Sequence, residues 1–287
     1  MAEGVPEPPS GVLLIDKPSG ITSHDVVYRV RRALGVKKVG HAGTLDPLAT
    51  GLLVLGVGRA TRLLRFLGDM PKTYEGSGVL GVETNTLDAE GEVTREGPVD
   101  VTEPQLKEAL DAFVGEIEQV PPAYSAVKIG GERLYKSARK GEDVEAPPRR
   151  VTVHRFDLVA FEPPRLDFVV QCSSGTYVRS LVADVGTALG TGAHLAALRR
   201  TVIGPFRVQD ATSPDHPGPL LPLDRAVAHL PQFELHPEEA KVAVHGCCLG
   251  PTGIAGPYRA VAPDGRLIGI YQDDGAMAVP QVILAPA

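Results

Sequence analysis

The stretch G-H-A-G-T-L-D-P-L-A-T-G, Gly40 to Gly51, followed by the run Leu52-Leu53-Val54-Leu55, decides how the rest of the chain is read. Gly40, Gly43 and Gly51 permit backbone angles closed to other residues and Pro47 lacks an amide donor, so the stretch predicts a shaped loop and no regular helix or strand. The apolar run behind it predicts a short buried strand, which holds the loop against a core. One carboxylate, Asp46, stands in this almost uncharged segment. An isolated Asp-Pro is most often a turn former. Here His41 and Thr44 sit at near-alternating positions beside it, with Lys17 and Arg59 on the neighbouring segments, and that company makes Asp46 a candidate functional group.

At 287 residues and 43% hydrophobic content, the chain is long enough for one large domain and a small one. No run approaches the roughly 18 apolar residues of a membrane span. The N-terminus, M-A-E-G-V-P-E-P-P-S, is acidic and proline-rich where a leader would be basic and then apolar. Residues 1–10 are therefore expected to be a flexible N-terminus and the protein to be cytoplasmic. Cys172, Cys247 and Cys248 form no C-x-x-C pair, which argues against a disulfide scaffold and a structural zinc site and predicts small buried side chains.

A net charge of −6 speaks against a nucleic-acid partner only until its distribution is considered. Between Val27 and Lys72, nine Lys/Arg, among them Arg29, Arg31, Arg32, Lys37 and Lys38, face only Asp46 and Asp69. A second basic region, Tyr124 to Arg150, has seven against four acids and includes Lys136, Arg139 and Lys140. Gly81 to Glu118, in contrast, carries eleven acids against Arg95 and Lys107. Charges so segregated leave a basic face for a polyanion.

In chain order, Gly11 to Ile15 predicts an opening strand that ends in the turn Asp16 to Gly20. A helix follows, capped by Thr22 or Ser23, with Val26, Val27, Val30 and Leu34 on one face and Gly35 as its stop. Thr61 to Leu67 predicts a short helix, Lys72 to Leu80 a strand, and Glu103 to Phe113 an amphipathic helix. Ala123 to Pro148 reads as an excursion longer than ordinary connections, with a basic helical stretch from Glu132 to Lys140. Strands resume at Val151 to Phe161 and Leu166 to Cys172. Ser173 to Thr176 then predicts a turn and N-cap for a helix to Leu189. Arg179 falls in that helix's first turn, where a cation gains nothing from the helix dipole, so it is expected to answer a nearby carboxylate. Seven prolines between Pro205 and Pro237 predict a linker over the surface. Beyond it, Tyr258 to Ala262, Leu267 to Tyr271 and Val282 to Leu284 predict a small β-rich unit with a hairpin turn at Asp264-Gly265.

Five motifs in order, L-L-I-D-K-P-S-G-I-T-S (Leu13 to Ser23), the Gly40 to Gly51 stretch, K-T-Y (Lys72 to Tyr74), P-P-A-Y-S-A-V-K (Pro121 to Lys128) and C-S-S-G-T-Y-V-R (Cys172 to Arg179), resemble the TruB family of tRNA pseudouridine synthases. The likeness runs from about Gly11 to Arg200, and the tail is similar, more weakly, to that family's PUA-type RNA-binding module.

The resemblance implies an α+β fold, a mixed and mostly antiparallel sheet flanked by helices. Its catalytic domain is expected at 11–231 with an RNA-gripping insertion at about 123–148, and a PUA-like domain at 232–287. It implies that uridine 55 in the T-loop of tRNA is flipped out and isomerised to pseudouridine without a cofactor, metal or obligatory protein partner. Asp46 matches the family's catalytic aspartate and Arg179 the arginine that pairs with it. Tyr74 matches the tyrosine that stacks on the flipped base, Tyr177 and Leu198 match further pocket residues, and His41 matches the histidine that lines the vacated space. Two other readings stand beside this one. A tRNA-binding or tRNA-folding protein without catalysis keeps the basic regions but does not need Asp46 and Arg179. A guide-RNA-dependent enzyme of the dyskerin type shares the aspartate loop but relies on partner proteins.

Overall fold

Apolar strands hidden on both faces form the frame. The computed structural model describes residues 9–125, 128–129, 132–134 and 146–284. Most of the expected flexible N-terminus, and Lys136, Arg139 and Lys140 of the excursion, lie outside these residues.

The strands are Gly11–Lys17 (β1), Val39–Ala42 (β2), Thr50–Val57 (β3), Lys72–Leu80 (β4), Val82–Thr84 (β5), Val93–Glu96 (β6), Gly115–Gln119 (β7), Lys128–Ile129 (β8) and Glu132–Arg133 (β9). They continue with Arg149–Glu162 (β10), Arg165–Cys172 (β11), Ala193–Ile203 (β12), Phe206–Arg207 (β13), Gln232–Glu234 (β14), Pro257–Val261 (β15), Leu267–Asp273 (β16) and Ala278–Ile283 (β17). The α-helices are Ser23–Leu34 (α1), Leu64–Gly68 (α2), Glu103–Asp111 (α3), Val178–Ala188 (α4) and Pro237–Ala243 (α5).

Nine strands form one sheet in the order β1-β3-β12-β4-β11-β10-β7, with β2 added on β3 and β13 on β12. Every pair in it is antiparallel except β3 with β12. The expected mixed, mostly antiparallel sheet of an α+β fold is what the chain forms. Strand β3 explains the unbroken Leu52 to Leu55 run. Leu53 and Leu55 pack with Val26, Val27 and Val30 of α1, while Leu52 and Val54 pack on the other face with Leu63, Leu67 and Phe206. A strand buried on both faces has no use for polar alternation. Further along the sheet, Leu106 and Leu110 of α3 and Leu181, Val182 and Val185 of α4 cover Phe156, Leu166, Phe168 and Val170.

Several local expectations hold for the expected reason. Thr22 caps α1 in a reciprocal capping box with Asp25, and Gly35 ends the helix at φ +65°. Others are corrected. Gly40 to Ala42 is a strand, because backbone pairing with Val54 to Gly56 offers those residues a ladder that their composition conceals; the irregular loop is only 43–49. Glu132-Arg133 pairs with Lys128-Ile129 as a short hairpin and is not the start of a basic helix. Thr176 does not cap α4: its hydroxyl bonds back to the Ser173 carbonyl at 3.0 Å, and Tyr177 occupies the cap position. Cys172 is buried as expected, but Cys247 and Cys248 are exposed.

The proline-rich linker is pinned to the sheet's edge. Val12 and Leu221 exchange backbone bonds at 2.9 and 2.8 Å, and Thr212 bonds with both Leu14 and Asp16. Beyond it, β14 to β17 form a separate four-stranded sheet around Tyr258 and Tyr271. Three arginines of the first basic region grip its last strand: Arg59 donates to the Leu284 carbonyl at 2.7 Å, Arg62 to Ile283 at 2.5 Å and Arg65 to Gln281 at 3.0 Å. These charges hold one sheet to the other. Among the described residues no helix is long and apolar enough to cross a membrane.

The loop and the sheet meet where β3 and β12 run parallel. Gly51 there has φ +100°, and a side-chain carbon on it would lie 2.8 Å from the Arg200 amide nitrogen. Gly51→Ala is expected to destabilise the protein by about 1–3 kcal/mol or more, from the left-handed backbone and the backbone collision together. Urea unfolding checks this: the midpoint should fall at constant slope, and an unchanged midpoint contradicts the assignment.

Candidate active site

Asp46 sits on a loop that is bonded down at nearly every turn. Ser23, at the start of α1, accepts from the Leu45 amide at 2.9 Å and donates to the Leu45 carbonyl at 3.1 Å. The Gly20 amide donates to the Pro47 carbonyl at 2.9 Å, and the Ser19 hydroxyl to that of Leu48 at 3.2 Å. Two buried cations complete the hold. Lys17 gives its ammonium to the carbonyls of Ile21 (2.7 Å), Pro18 (2.9 Å) and Pro47 (3.2 Å), which uses all three of its protons. Arg200, from β12, donates to Leu52 (2.8 Å), Gly43 (3.2 Å) and Thr44 (3.4 Å). Burial pushes the Lys17 pKa down to about 8, with the field of Asp46 acting in the opposite direction.

The Asp46 carboxylate remains half-exposed, its Oδ2 3.5 Å from Nη2 of the buried Arg179. That guanidinium is shared. Its Nη1 is 3.5 Å from Oδ2 of Asp88, equally buried, and 3.3 Å from the Thr86 carbonyl, while Nη2 also donates to the Tyr124 carbonyl in a short bond. Asp88 is itself fixed by the Thr86 hydroxyl at 2.6 Å and the Glu90 amide at 3.2 Å. Arg179 cannot lose its proton at any working pH. The arrangement therefore sets a permanent positive charge between a buried acid that positions it and an open acid at the cavity. The expectation that Arg179 answers a carboxylate holds twice over.

In front of the pair is a cavity of about 310 Å³, walled by Gly43 to Asp46, Lys72, Tyr74, Ser174 to Arg179, Leu195, Leu198 and Arg200, with Ser125 from the excursion. Tyr74, Tyr177, Arg179 and Leu198 thus join Asp46 around one space. Tyr74 is nearly inaccessible from solvent, and burial raises its pKa, which keeps the phenol neutral; it faces Arg200 across the β4–β12 ladder. Lys72 is buried, with its ammonium on the carbonyls of Gly68 (2.8 Å) and Met70 (2.9 Å), and burial together with the Arg200 charge brings its pKa to about 8. Tyr177 lies between two guanidinium groups, with the Arg149 and Arg179 carbons 5.9 and 6.0 Å from its ring centre. His41 stands apart from this wall. It is paired with Leu55 in the β2–β3 ladder, and burial, then Arg200, lowers its pKa and favours the neutral ring.

Sequence reasoning missed Asp88, Arg200, Gln119 and the Tyr124 carbonyl. Asp88 was hidden among eleven acids, and only its place beside Leu87, a non-glycine residue at φ +65°, marks the turn as built for a purpose. Arg200 follows Arg199 and precedes Thr201, so nothing local in the sequence separated the buried arginine from its exposed-looking neighbour. The first basic region is also less open than its composition suggests. Arg29 is paired with Asp215 at 3.1 Å and Arg31 donates to the Val39 carbonyl at 2.8 Å, whereas Arg32, Lys37 and Lys38 are exposed.

Solved structures with this architecture include one titled "Crystal structure of the archaeal box H/ACA sRNP Nop10-Cbf5 complex", at TM-score 0.75 and 24% identity over 98% of this chain and 88% of that one. A second, "Crystal Structure of a Cbf5-Nop10-Gar1 Complex", gives TM-score 0.74 and 26% identity over 96% and 84%. Together with the aspartate loop and the cavity before it, this fold defines a pseudouridine synthase. Relatives in sequence are the tRNA pseudouridine synthase B of Mycobacterium sp. (strain KMS), 46% identical over 96% of this chain and 97% of its own length, and that of Thermobifida fusca (strain YX), 47% identical over 96% and 98%. The family model described as "TruB family pseudouridylate synthase (N terminal domain)" matches residues 31–178, and "tRNA pseudouridylate synthase B C-terminal domain" and "tRNA Pseudouridine synthase II, C terminal" match 179–215 and 230–285. The chain belongs to the TruB family, as its five motifs indicated.

Asp88→Asn keeps the shape of that side chain but removes its charge, so Arg179 retains a hydrogen-bonding partner and loses half of its electrostatic anchoring. The rate of pseudouridine formation in single turnover is expected to fall on the order of tenfold to a hundredfold with RNA affinity little changed. A loss confined to affinity would place Asp88 outside the catalytic arrangement.

Proposed function

We propose that this protein isomerises uridine 55 in the T-loop of tRNA to pseudouridine, acting on its own on a T-arm in the cytoplasm. The observation that carries the reading is the Asp46–Arg179 pair, 3.5 Å apart, at the cavity between Tyr74 and Leu198. Isomerisation breaks the N1–C1′ bond, turns the base and rejoins it through C5. A carboxylate serves this by adding to the sugar or the base or by assisting a glycal, and Arg179 sets a charge-assisted partner beside Asp46. The base has to leave its stack to reach Asp46, and a neutral buried phenol ring gives it a new surface to stack on at Tyr74, with Leu198 and Tyr177 as the other walls. His41, on the strand leading into the loop, lines the space that the base vacates. Relatives of almost the same length, named as tRNA pseudouridine synthases, favour a stand-alone enzyme over a guide-RNA-dependent one, and the complete acid–arginine pair favours catalysis over tRNA binding alone.

Incubation with an unmodified T-arm stem-loop, followed by mapping of pseudouridine, tests the reading: product at the position of uridine 55 supports it, and absence of product rejects it. Asp46→Asn is expected to abolish turnover while the protein still folds and binds the RNA. Retention of more than a few per cent of the single-turnover rate would assign the chemistry to another residue. Arg179→Ala is expected to cost on the order of 10² or more, since the partner charge and its hydrogen bonds disappear together.

RNA binding should also respond to salt through the exposed cations. Replacing Arg32, Lys37 and Lys38 together by Ala is expected to lower the slope of log affinity against log salt by up to about one for each phosphate that is no longer neutralised, while the rate at saturating tRNA stays within roughly tenfold. Wild-type affinity and slope in the triple variant would show that this face is merely solvated.

A further inference from the structure

Gln119 is the last residue of β7, the strand at one edge of the nine-stranded sheet, and the chain leaves it directly for the 123–148 excursion. Its side chain is polar, yet almost wholly buried. Its amide spends both of its groups on the backbone of one residue: Oε1 accepts from the Tyr177 amide at 2.7 Å and Nε2 donates to the Tyr177 carbonyl at 3.0 Å. Two paired strand residues exchange bonds in this way, so the side chain acts as one more rung of the ladder, reaching 58 positions along the chain. Tyr177 depends on outside support because it caps α4 without a side-chain cap bond of its own. Its ring is approached by Arg149, the ladder partner of Gln119, and Tyr177 stands two residues before Arg179. On the far side of the same short segment, the Tyr124 carbonyl accepts from Arg179.

We propose that Gln119 is a positioning residue for pseudouridine formation: by bonding both backbone groups of Tyr177 it fixes the first turn of α4, and with it the approach of Arg179 to Asp46. The segment from Gln119 to Tyr124 is then a clamp that ties the root of the excursion to the catalytic pair. Gln119 does not line the cavity and does not touch the reacting atoms; it acts through Tyr177. The clamp rests on the reading of function above.

The test uses the full-length protein, a T-arm stem-loop and two variants. Gln119→Met fills the same space but offers neither bond, and the single-turnover rate is expected to fall by about tenfold to a hundredfold while RNA affinity stays within about threefold, the signature of a misplaced catalytic group. Gln119→Glu discriminates further. Ionised, the introduced carboxylate still accepts from the Tyr177 amide but has nothing to donate and repels the Tyr177 carbonyl; protonated, it regains a donor and matches the amide. Burial raises the pKa of a carboxyl group, so this change falls within the working pH range, and the ratio of variant to wild-type rate should rise as pH falls from about 8 to about 5.5. Wild-type rates in Gln119→Met, a ratio for Gln119→Glu that does not change with pH, or a loss carried by affinity alone would overturn the proposal. A Gln119→Glu protein unfolded at every pH would overturn it too, since Gln119 would then be a requirement of the fold and not a determinant of rate. Failure of the wild-type protein to form pseudouridine is a different result, because it rejects the reading of function and not the clamp.

Discussion

A guanidinium buried between two carboxylates is the constraint on which the structure turns. Arg179 cannot shed its charge, and a lone cation in its position would cost several kcal/mol of desolvation. Asp88, the carbonyls of Thr86 and Tyr124, and Asp46 offset that cost, and they come from three separate parts of the chain. The turn at 86–88, the root of the excursion and the aspartate loop must each be in place for the charge to be tolerated at all. Asp46 alone of the two acids stays open to solvent, so the same network that stabilises the cation leaves one oxygen-bearing group facing the cavity. Fold and site are in this sense one requirement.

The sheet supplies the rigidity that such a network needs. The aspartate loop lies between β2 and β3, and β3 is buried on both faces, so the loop has little freedom at its C-terminal end. Arg200 reaches it from β12, which runs parallel to β3 at that point and antiparallel to β4 on its other side. One side chain thereby ties Gly43, Thr44 and Leu52 to the strand that presents Leu198, next to the strand that presents Tyr74. Side chains placed on strands hold their geometry better than side chains on free loops, and here the one loop residue that matters is bonded into the strands around it.

How much of this could be read in the sequence depends on whether the signal was local. The capping box at Thr22, the stop at Gly35, the buried run of β3 and the hairpin at Gly265 are decided by neighbours in the chain, and they were legible. Asp46 was legible because an acid in a glycine-rich, uncharged loop is conspicuous, and Arg179 because a cation in the first turn of a helix demands a partner. Asp88 and Gln119 were not, since each does its work through a partner 58 or more residues away and neither is set apart by the residue types beside it in the sequence. The strand at Gly40 to Ala42 was misjudged for a related reason: the glycine that suggested a loop is accommodated because β3 provides a full ladder beside it. The arginines at 59, 62 and 65 show the limit of counting charge, because composition cannot distinguish a cation that faces RNA from one that bonds the next sheet.

The distribution of buried charge explains how an acidic protein serves a polyanionic substrate. Among the described residues, Lys17, Lys72, Arg179 and Arg200 are the buried cations, and all four stand around the aspartate loop and the cavity. Only Asp88 is comparably buried to balance them, with Asp46 half-exposed. Burial is what brings both lysines to about 8; Arg200 adds to it at Lys72, while Asp46 and Glu90 oppose it at Lys17. Backbone carbonyls hold Lys17, Lys72 and Arg200 without cancelling their charge, and Lys72, Arg179 and Arg200 line the cavity in front of Asp46. The stretch from Gly81 to Glu118 carries eleven of the 35 acids against two basic residues, and only Asp88 of it reaches the Arg179 pair. Exposed charge acts weakly through salt, while charge fixed in a low-dielectric wall acts strongly at short range. The sign of the whole molecule is therefore a poor guide to its substrate, and the sign of the cavity is a good one.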